Sequence, residues 1–209
     1  MNWKEQVTQL EQEGSFDIAI FLLQKVIAEH PDNVDAYIFL LYRLMDTLIE
    51  GPCYWSNISK DPLREIKSAY YESKYDEYVQ LARRYFAESY AKYSDNPEYL
   101  FYVGVIIGPD PYIFNSKEDF DPMDMIHAAF ALNYNTVLKD EFTSLNMYLA
   151  THNQANNIVY ARHILSDPSL QGQLATKGSA GEYVVGRYIT WAKKVLETAE
   201  SNGTAISNG

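Results

Sequence analysis

The chain is predicted to be all-α, and three observations lead there. Apolar residues recur at spacings of three and four in segment after segment, the period of a helix with one buried side. No stretch alternates apolar and polar residues between hairpin turns, as half-buried strands would. Asp61-Pro62, Asn96-Pro97, Asp121-Pro122 and Asp167-Pro168 each carry the signature of a helix start. In such a pair a short polar side chain caps the exposed amides, and proline fits the first turn, where its missing N–H costs nothing.

The elements follow in order. Residues 2–13 place Trp3, Val7 and Leu10 on one stripe, and Gly14 breaks the pattern. Phe16, Ala19, Ile20, Leu23, Val26 and Ile27 form a second stripe, closed by His30-Pro31. Asp32-Asn33 offers an N-cap to a third helix that buries Ala36, Tyr37, Leu40, Leu41, Leu44 and Leu48. Gly51-Pro52 is expected to end it, with a loop over 51–62. The segment 63–93 holds no Gly or Pro, so it reads as one long helix or two joined by a tight bend. The Asx-Pro rule predicts starts near Leu63, Glu98, Met123 and Ser169. Further helices are expected over 138–150, 156–165 and 182–199, the last preceded by a turn at Gly178-Ser179-Ala180-Gly181. The expected organisation is one helical domain over 1–200, in antiparallel pairs, with a flexible tail over 201–209.

Composition narrows the function classes. With 209 residues, 47% of them apolar, the chain can bury a real core and is not a disordered polymer. The formal net charge of -11 argues against direct binding to nucleic acid or an anionic membrane. Residues 1–104 hold 17 acids against 10 bases, 105–124 hold 5 against 1, and 125–209 hold 6 of each, so the acidity lies in the first half and the loop after it. A single cysteine, Cys53, rules out an internal disulfide and a Cys-based zinc site. The N-terminus has no basic segment followed by an apolar one, and no apolar run approaches the ~20 residues of a membrane span, so a cytoplasmic protein is expected.

Trp3 and Tyr37 are 34 residues apart, and Leu10 and Leu44 share that offset. Trp3, Leu10, Gly14, Ala19, Leu23, Val26 and Pro31 fit one frame: glycine for the tight turn, a small residue for close crossing, proline to stop the second helix. Residues 3–50 therefore resemble a tetratricopeptide repeat followed by the first helix of a second one. Val7 and Leu41 stand where the family commonly has a small residue, and Cys53 stands where the second repeat's alanine belongs. The rest, 51–200, reads as a degenerate helical array. The resemblance implies a concave groove lined by Lys4, Thr8, Glu11 and Gln12 from the first helix and by Asp35, Ile38, Tyr42, Met45 and Asp46 from the third. That lining is acidic with an apolar centre, and it suits a basic peptide or protein partner.

Chemistry-bearing residues are sparse. His30, His127, His152 and His163 show no metal-ligand spacing, and His30 sits where a helix ends. Cys53 has no visible base. Lys177-Gly178-Ser179 lacks the leading glycine and the strand of a phosphate loop. The acidic stretch with Asp110, Glu118, Asp119, Asp121 and Asp124 lacks the central Gly and final Glu of a calcium loop; its functional reading is an acidic docking surface at Asp110, Glu118 and Asp119. No metal, cofactor or catalytic residue is expected. Tyrosine is abundant, with 18 in the chain. Tyr71, Tyr75, Tyr78 and Tyr85 share a face that reads as core, whereas Tyr70 and Tyr90 point elsewhere and are candidates for exposed contacts.

The sequence thus favours a non-catalytic interaction module for a basic partner, bound through an acidic, tyrosine-rich helical surface. A bacterial toxin-immunity protein, covering a basic nuclease, is one biological form of that class. The alternative is an enzyme on a helical scaffold, with His152, His163 and Asp140 or Glu141 meeting across helices. A cleft holding two titratable side chains within hydrogen-bond reach separates the two readings.

Overall fold

A computed structural model describes residues 2–57, 62–115, 120–135 and 154–201. Among them no strand occurs, and nine α-helices follow one another. We label these α1 (Trp3–Gln12), α2 (Phe16–Glu29), α3 (Val34–Asn57), α4 (Arg64–Tyr93), α5 (Pro97–Ile107), α6 (Pro122–Asn135), α7 (Gln154–Ser166), α8 (Pro168–Leu174) and α9 (Gly178–Ser201). Short 3-10 turns at Pro111–Ile113 and Ala175–Lys177 precede α6 and α9. No described helix is long and apolar enough to cross a membrane. The expected helix over 138–150 and the tail over 202–209 lie outside the described residues.

Side chains cap several of the starts, though not those of α2 and α4. Asn2 accepts the Glu5 amide at 3.0 Å while Glu5 accepts the Asn2 amide at 3.0 Å, a reciprocal cap that satisfies two free donors of α1. Asn33 accepts from Ala36 at 3.2 Å and Asn96 from Tyr99 at 2.9 Å. Asp121 and Asp167 cap Met123 at 2.8 Å and Ser169 at 2.9 Å in the same manner. α2 closes at His30, whose amide donates to the Val26 carbonyl at 2.8 Å.

Two boundaries differ from expectation. α3 does not stop at Gly51-Pro52 but runs on to Asn57. An interior proline costs about 3 kcal/mol of helix propensity, and here the packing of the preceding turns outweighs it. Every residue from Ala36 to Met45 is buried, so α3 is enclosed on all sides rather than along one stripe. The second difference is at Gly178-Ser179-Ala180-Gly181, which is the first turn of α9 and not a turn before it. These residues are small because α9 comes close to α1 and α3. Gly178 takes φ 57°, and a Cβ there would lie 2.8 Å from the Phe39 ring.

α3 and the equally enclosed α5 form the centre. α3 packs against α2, α4, α5 and α9, while α5 packs against α3, α6 and α9. Tyr37, in the first turn of α3, meets Tyr85 and Tyr93 near the end of α4, so these two helices run in opposite directions. Its hydroxyl binds Glu88 and accepts from Lys92 at 2.9 Å. Burial, aided by Glu88, pushes that hydroxyl up to about 12. Phe101 of α5 stacks on Tyr188 of α9, with ring centres 5.8 Å apart and planes 7° from parallel. Such a pair contributes about 0.5–1.5 kcal/mol beyond the area it buries. Tyr71, Tyr78 and Tyr85 are core, as their shared face implies, and Tyr70 and Tyr90 are exposed. Tyr75 departs from its stripe and is 44% exposed, for a reason that lies in the cleft described below.

The approach of α9 to α3 can be tested at its tightest point. Gly178→Ala combines a left-handed backbone with a clash against Phe39, and is expected to lower unfolding free energy by about 1–3 kcal/mol in urea titration. An unchanged midpoint would mean that α9 does not sit this close to α3.

Candidate functional site

The groove implied by the repeat frame has its carboxylates engaged by the chain itself. Lys4 of α1 pairs with Asp35 of α3. The other oxygen of Asp35 accepts from Lys177 at 2.6 Å, and the same ammonium donates to Glu98 of α5 at 2.9 Å. Lys177 is 7% exposed and stands 5.9 Å from the centre of the Tyr102 ring. Burial opposes the charge on Asp35, but hydrogen bonds from Lys177 and Lys4 outweigh it and hold the carboxyl below its ordinary range. Burial likewise opposes the Lys177 charge, and Asp35 and Glu98 more than offset it, raising the amine above its usual value.

A second buried ion pair lies beside the first. Arg43 of α3 donates from Nε to Glu11 at 3.0 Å and from a terminal nitrogen to Asp46 at 2.8 Å. Its guanidinium lies 4.5 Å from the Phe16 ring centre. Ser179 at the start of α9 donates to the other oxygen of Glu11. Burial raises the Asp46 carboxyl despite Arg43.

The remaining groove residues follow the same pattern. Ile38 is 0% and Met45 1% exposed, and Tyr42 packs on Tyr183 of α9 with ring centres 5.5 Å apart. Thr8 donates back to the Lys4 carbonyl at 3.0 Å. Gln12 is exposed and, with Thr8 and Gln9, edges a shallow recess against Ala175 and Thr176. Residues 177–183 of the same chain thus reach Asp35, Glu11 and Tyr42, through Lys177, Ser179 and Tyr183.

An open cleft of about 510 Å³ lies elsewhere, between α4 and the 111–113 turn. Tyr75 and Asp76 contribute from α4, Asp110 and Tyr112 from the turn, and Arg83 forms the floor. Tyr75 is 44% and Tyr112 58% exposed. Asp110 accepts the Tyr112 amide at 3.2 Å, which fixes the turn. Arg83 donates to the Tyr112 carbonyl at 3.2 Å and so ties the turn to α4, while its buried Nε has no hydrogen-bond partner. Tyr75 is exposed because α4 meets only this short turn along that edge. Of the predicted docking residues in the acidic stretch, Asp110 belongs to this cleft, and Glu118 and Asp119 lie outside the described residues. Sequence reading missed Asp76, Arg83 and Tyr112. The Asp110-Pro111 pair, which repeats the Asx-Pro signature, was the available signal for the turn.

Of the residues named for an enzymatic reading, only His163 lies among the described residues. His163 Nε2 is 3.7 Å from Asp167, beyond a hydrogen bond, with the imidazole 44% exposed. His152, Asp140 and Glu141 fall outside the described residues. Cys53 lies in the last turns of α3. No group of three His, Cys, Asp or Glu side chains placed to hold a metal ion occurs among the described residues. Comparison with family models, curated proteins and solved structures finds no match.

Acid should weaken the Lys177 cluster. A depressed carboxyl contributes stability that is fully present above its unfolded value and is lost as pH falls through its folded value. The stability gap between the native chain and Asp35→Asn should therefore be widest near neutrality and shrink below about pH 4 in urea titrations. A gap that stays constant with pH would show that Asp35 is not held ionised by its partners. At neutral pH, Lys177→Met should cost about 2 kcal/mol, less than a sealed pair because Glu98 is partly open to water.

Proposed function

We propose that this chain is a non-catalytic interaction module whose partner is a basic peptide or protein. It docks on the acidic, tyrosine-bearing face of α4 and the 110–113 turn. The observation that carries this reading is the convergence of Tyr75, Asp76, Asp110 and Tyr112 on one open cleft from two separate segments. Exposed tyrosines supply contact area at low conformational cost, and carboxylates steer a basic partner toward them. Glu72 is also exposed on α4, one turn before Asp76, whereas Glu77 is paired with Lys74.

The chemistry has a counterpart inside the molecule. The cradle around Lys177, two carboxylates and the face of Tyr102, is how an acidic helical face receives a cation. In this proposal residues 3–50 are a tetratricopeptide-like unit in antiparallel helix pairs. Its concave face is used in cis, which leaves the α4 cleft for partners in trans. A cytoplasmic location and a toxin-immunity role belong to the same proposal. Their support is the charge of -11 and the absence of a membrane-spanning helix among the described residues.

Titration with hexa-arginine by calorimetry, at low and high salt, tests the cleft. Saturable binding that weakens with salt is expected. The double variant Asp76→Asn, Asp110→Asn should lose about tenfold in affinity, as should Tyr112→Ala. Binding that ignores these substitutions, or no binding at low salt, would remove the cleft as the docking site. Capture of one basic protein from a native lysate, released at high salt, is the result expected of an immunity role, and its absence would count against that role.

A further inference from the structure

A second cleft, of about 410 Å³, lies between α5, α6 and α9, apart from the acidic one. Val105, Ile126 and Tyr188 form its apolar walls. Met123, 42% exposed, and Trp191 stand at its rim with Arg187. α5 and α6 approach closely at Gly104, where a Cβ would lie 2.8 Å from Ile126 and 3.0 Å from the Pro122 carbonyl. A volume in the hundreds of Å³ with mostly apolar walls and one or two placed polar groups is the usual form of a small-molecule site.

Arg187 decides the charge of the occupant. It is exposed, and it forms no hydrogen bond or ion pair within the described residues. Asp121, on the opposite wall, already accepts the Met123 amide at 2.8 Å as the cap of α6. A guanidinium beside an apolar cleft, without a partner among the described residues, favours one anionic group. Asp121 disfavours a second. A neighbouring depression shares Arg187 and Trp191 and continues along α9 past Thr190 to Lys194, so an elongated ligand has room in that direction. We infer that this cleft binds a small amphipathic monocarboxylate, with its apolar body between Val105, Ile126 and Trp191 and its carboxylate on Arg187. The site is independent of the basic-partner cleft on α4.

The test uses the full chain and monomeric decanoate, with decanol as the uncharged control, followed by calorimetry and amide chemical shifts. One decanoate should bind per chain, with shifts confined to 104–108, 122–126 and 187–194. Decanol should bind about tenfold more weakly, reflecting loss of a charged hydrogen bond. Arg187→Gln should lose about the same factor, and Arg187→Lys should retain part of the affinity. Because Arg187 is exposed and has no partner among the described residues, both variants should keep the native unfolding midpoint. The inference is overturned if decanoate does not saturate below its aggregation concentration, if shifts fall elsewhere, or if Arg187→Gln binds as well as the native chain. Association with anionic phospholipid vesicles but not with monomeric decanoate would also overturn it.

Discussion

An ammonium group with little access to water requires carboxylates around it, and Lys177 finds two, from helices far apart in the chain. Asp35 belongs to α3 and Glu98 to α5, and Asp35 is in turn shared with Lys4 of α1. One charge thus ties the first helix, the two central helices and the entry to the last helix. The Arg43–Glu11 pair, with Ser179 on the same carboxylate, repeats the arrangement one step along. Electrostatic attraction alone would not hold α9 here, since removing charges from water is costly. The stacking of Phe101 on Tyr188 and the burial of Ala180, Val184 and Ala192 supply the apolar contribution.

This closure decides which surfaces remain for other molecules. Glu11, Asp35 and Asp46, which look free in the sequence, have cationic or hydroxyl partners within the fold. α4 as a whole has no acidic surplus, but its edge beside the turn that follows α5 brings Asp76 and Asp110 to one cleft, with Arg83 between α4 and the turn. The two open clefts differ in character for the same reason. One lies along the acidic first half, and the other lies against α9, whose outer face carries Arg187, Lys193 and Lys194.

Much of the helical framework was legible because its signals are local. An Asx side chain one or two residues before a helix satisfies free amides within a single turn, and Asn33, Asn96, Asp121 and Asp167 do so where the sequence places them. The core tyrosines Tyr71, Tyr78 and Tyr85 were legible through helical spacing. Tyr75 was not, because exposure on the edge of a stripe depends on whether the facing element is a long helix or a three-residue turn. Gly51-Pro52 was misread because local breaking signals compete with packing that propensity does not contain. The engagement of the groove residues Glu11, Asp35 and Asp46 by Lys177, Ser179 and Arg43 was invisible in their own segments.

By itself, then, the sequence determined the all-helical class, most helix starts, the buried stripe of α3 and the concentration of acid in the first half. These properties depend on residues within a few turns of one another. Only the tertiary structure decided that α9 lies across α1 and α3, that Tyr75 and Tyr112 share a cleft with Asp76 and Asp110, and that Arg187 shares a cleft with Trp191 and Ile126. Each of these joins residues distant in the chain, and long-range packing and charge pairing are set by the geometry of the whole core, which no local spacing records.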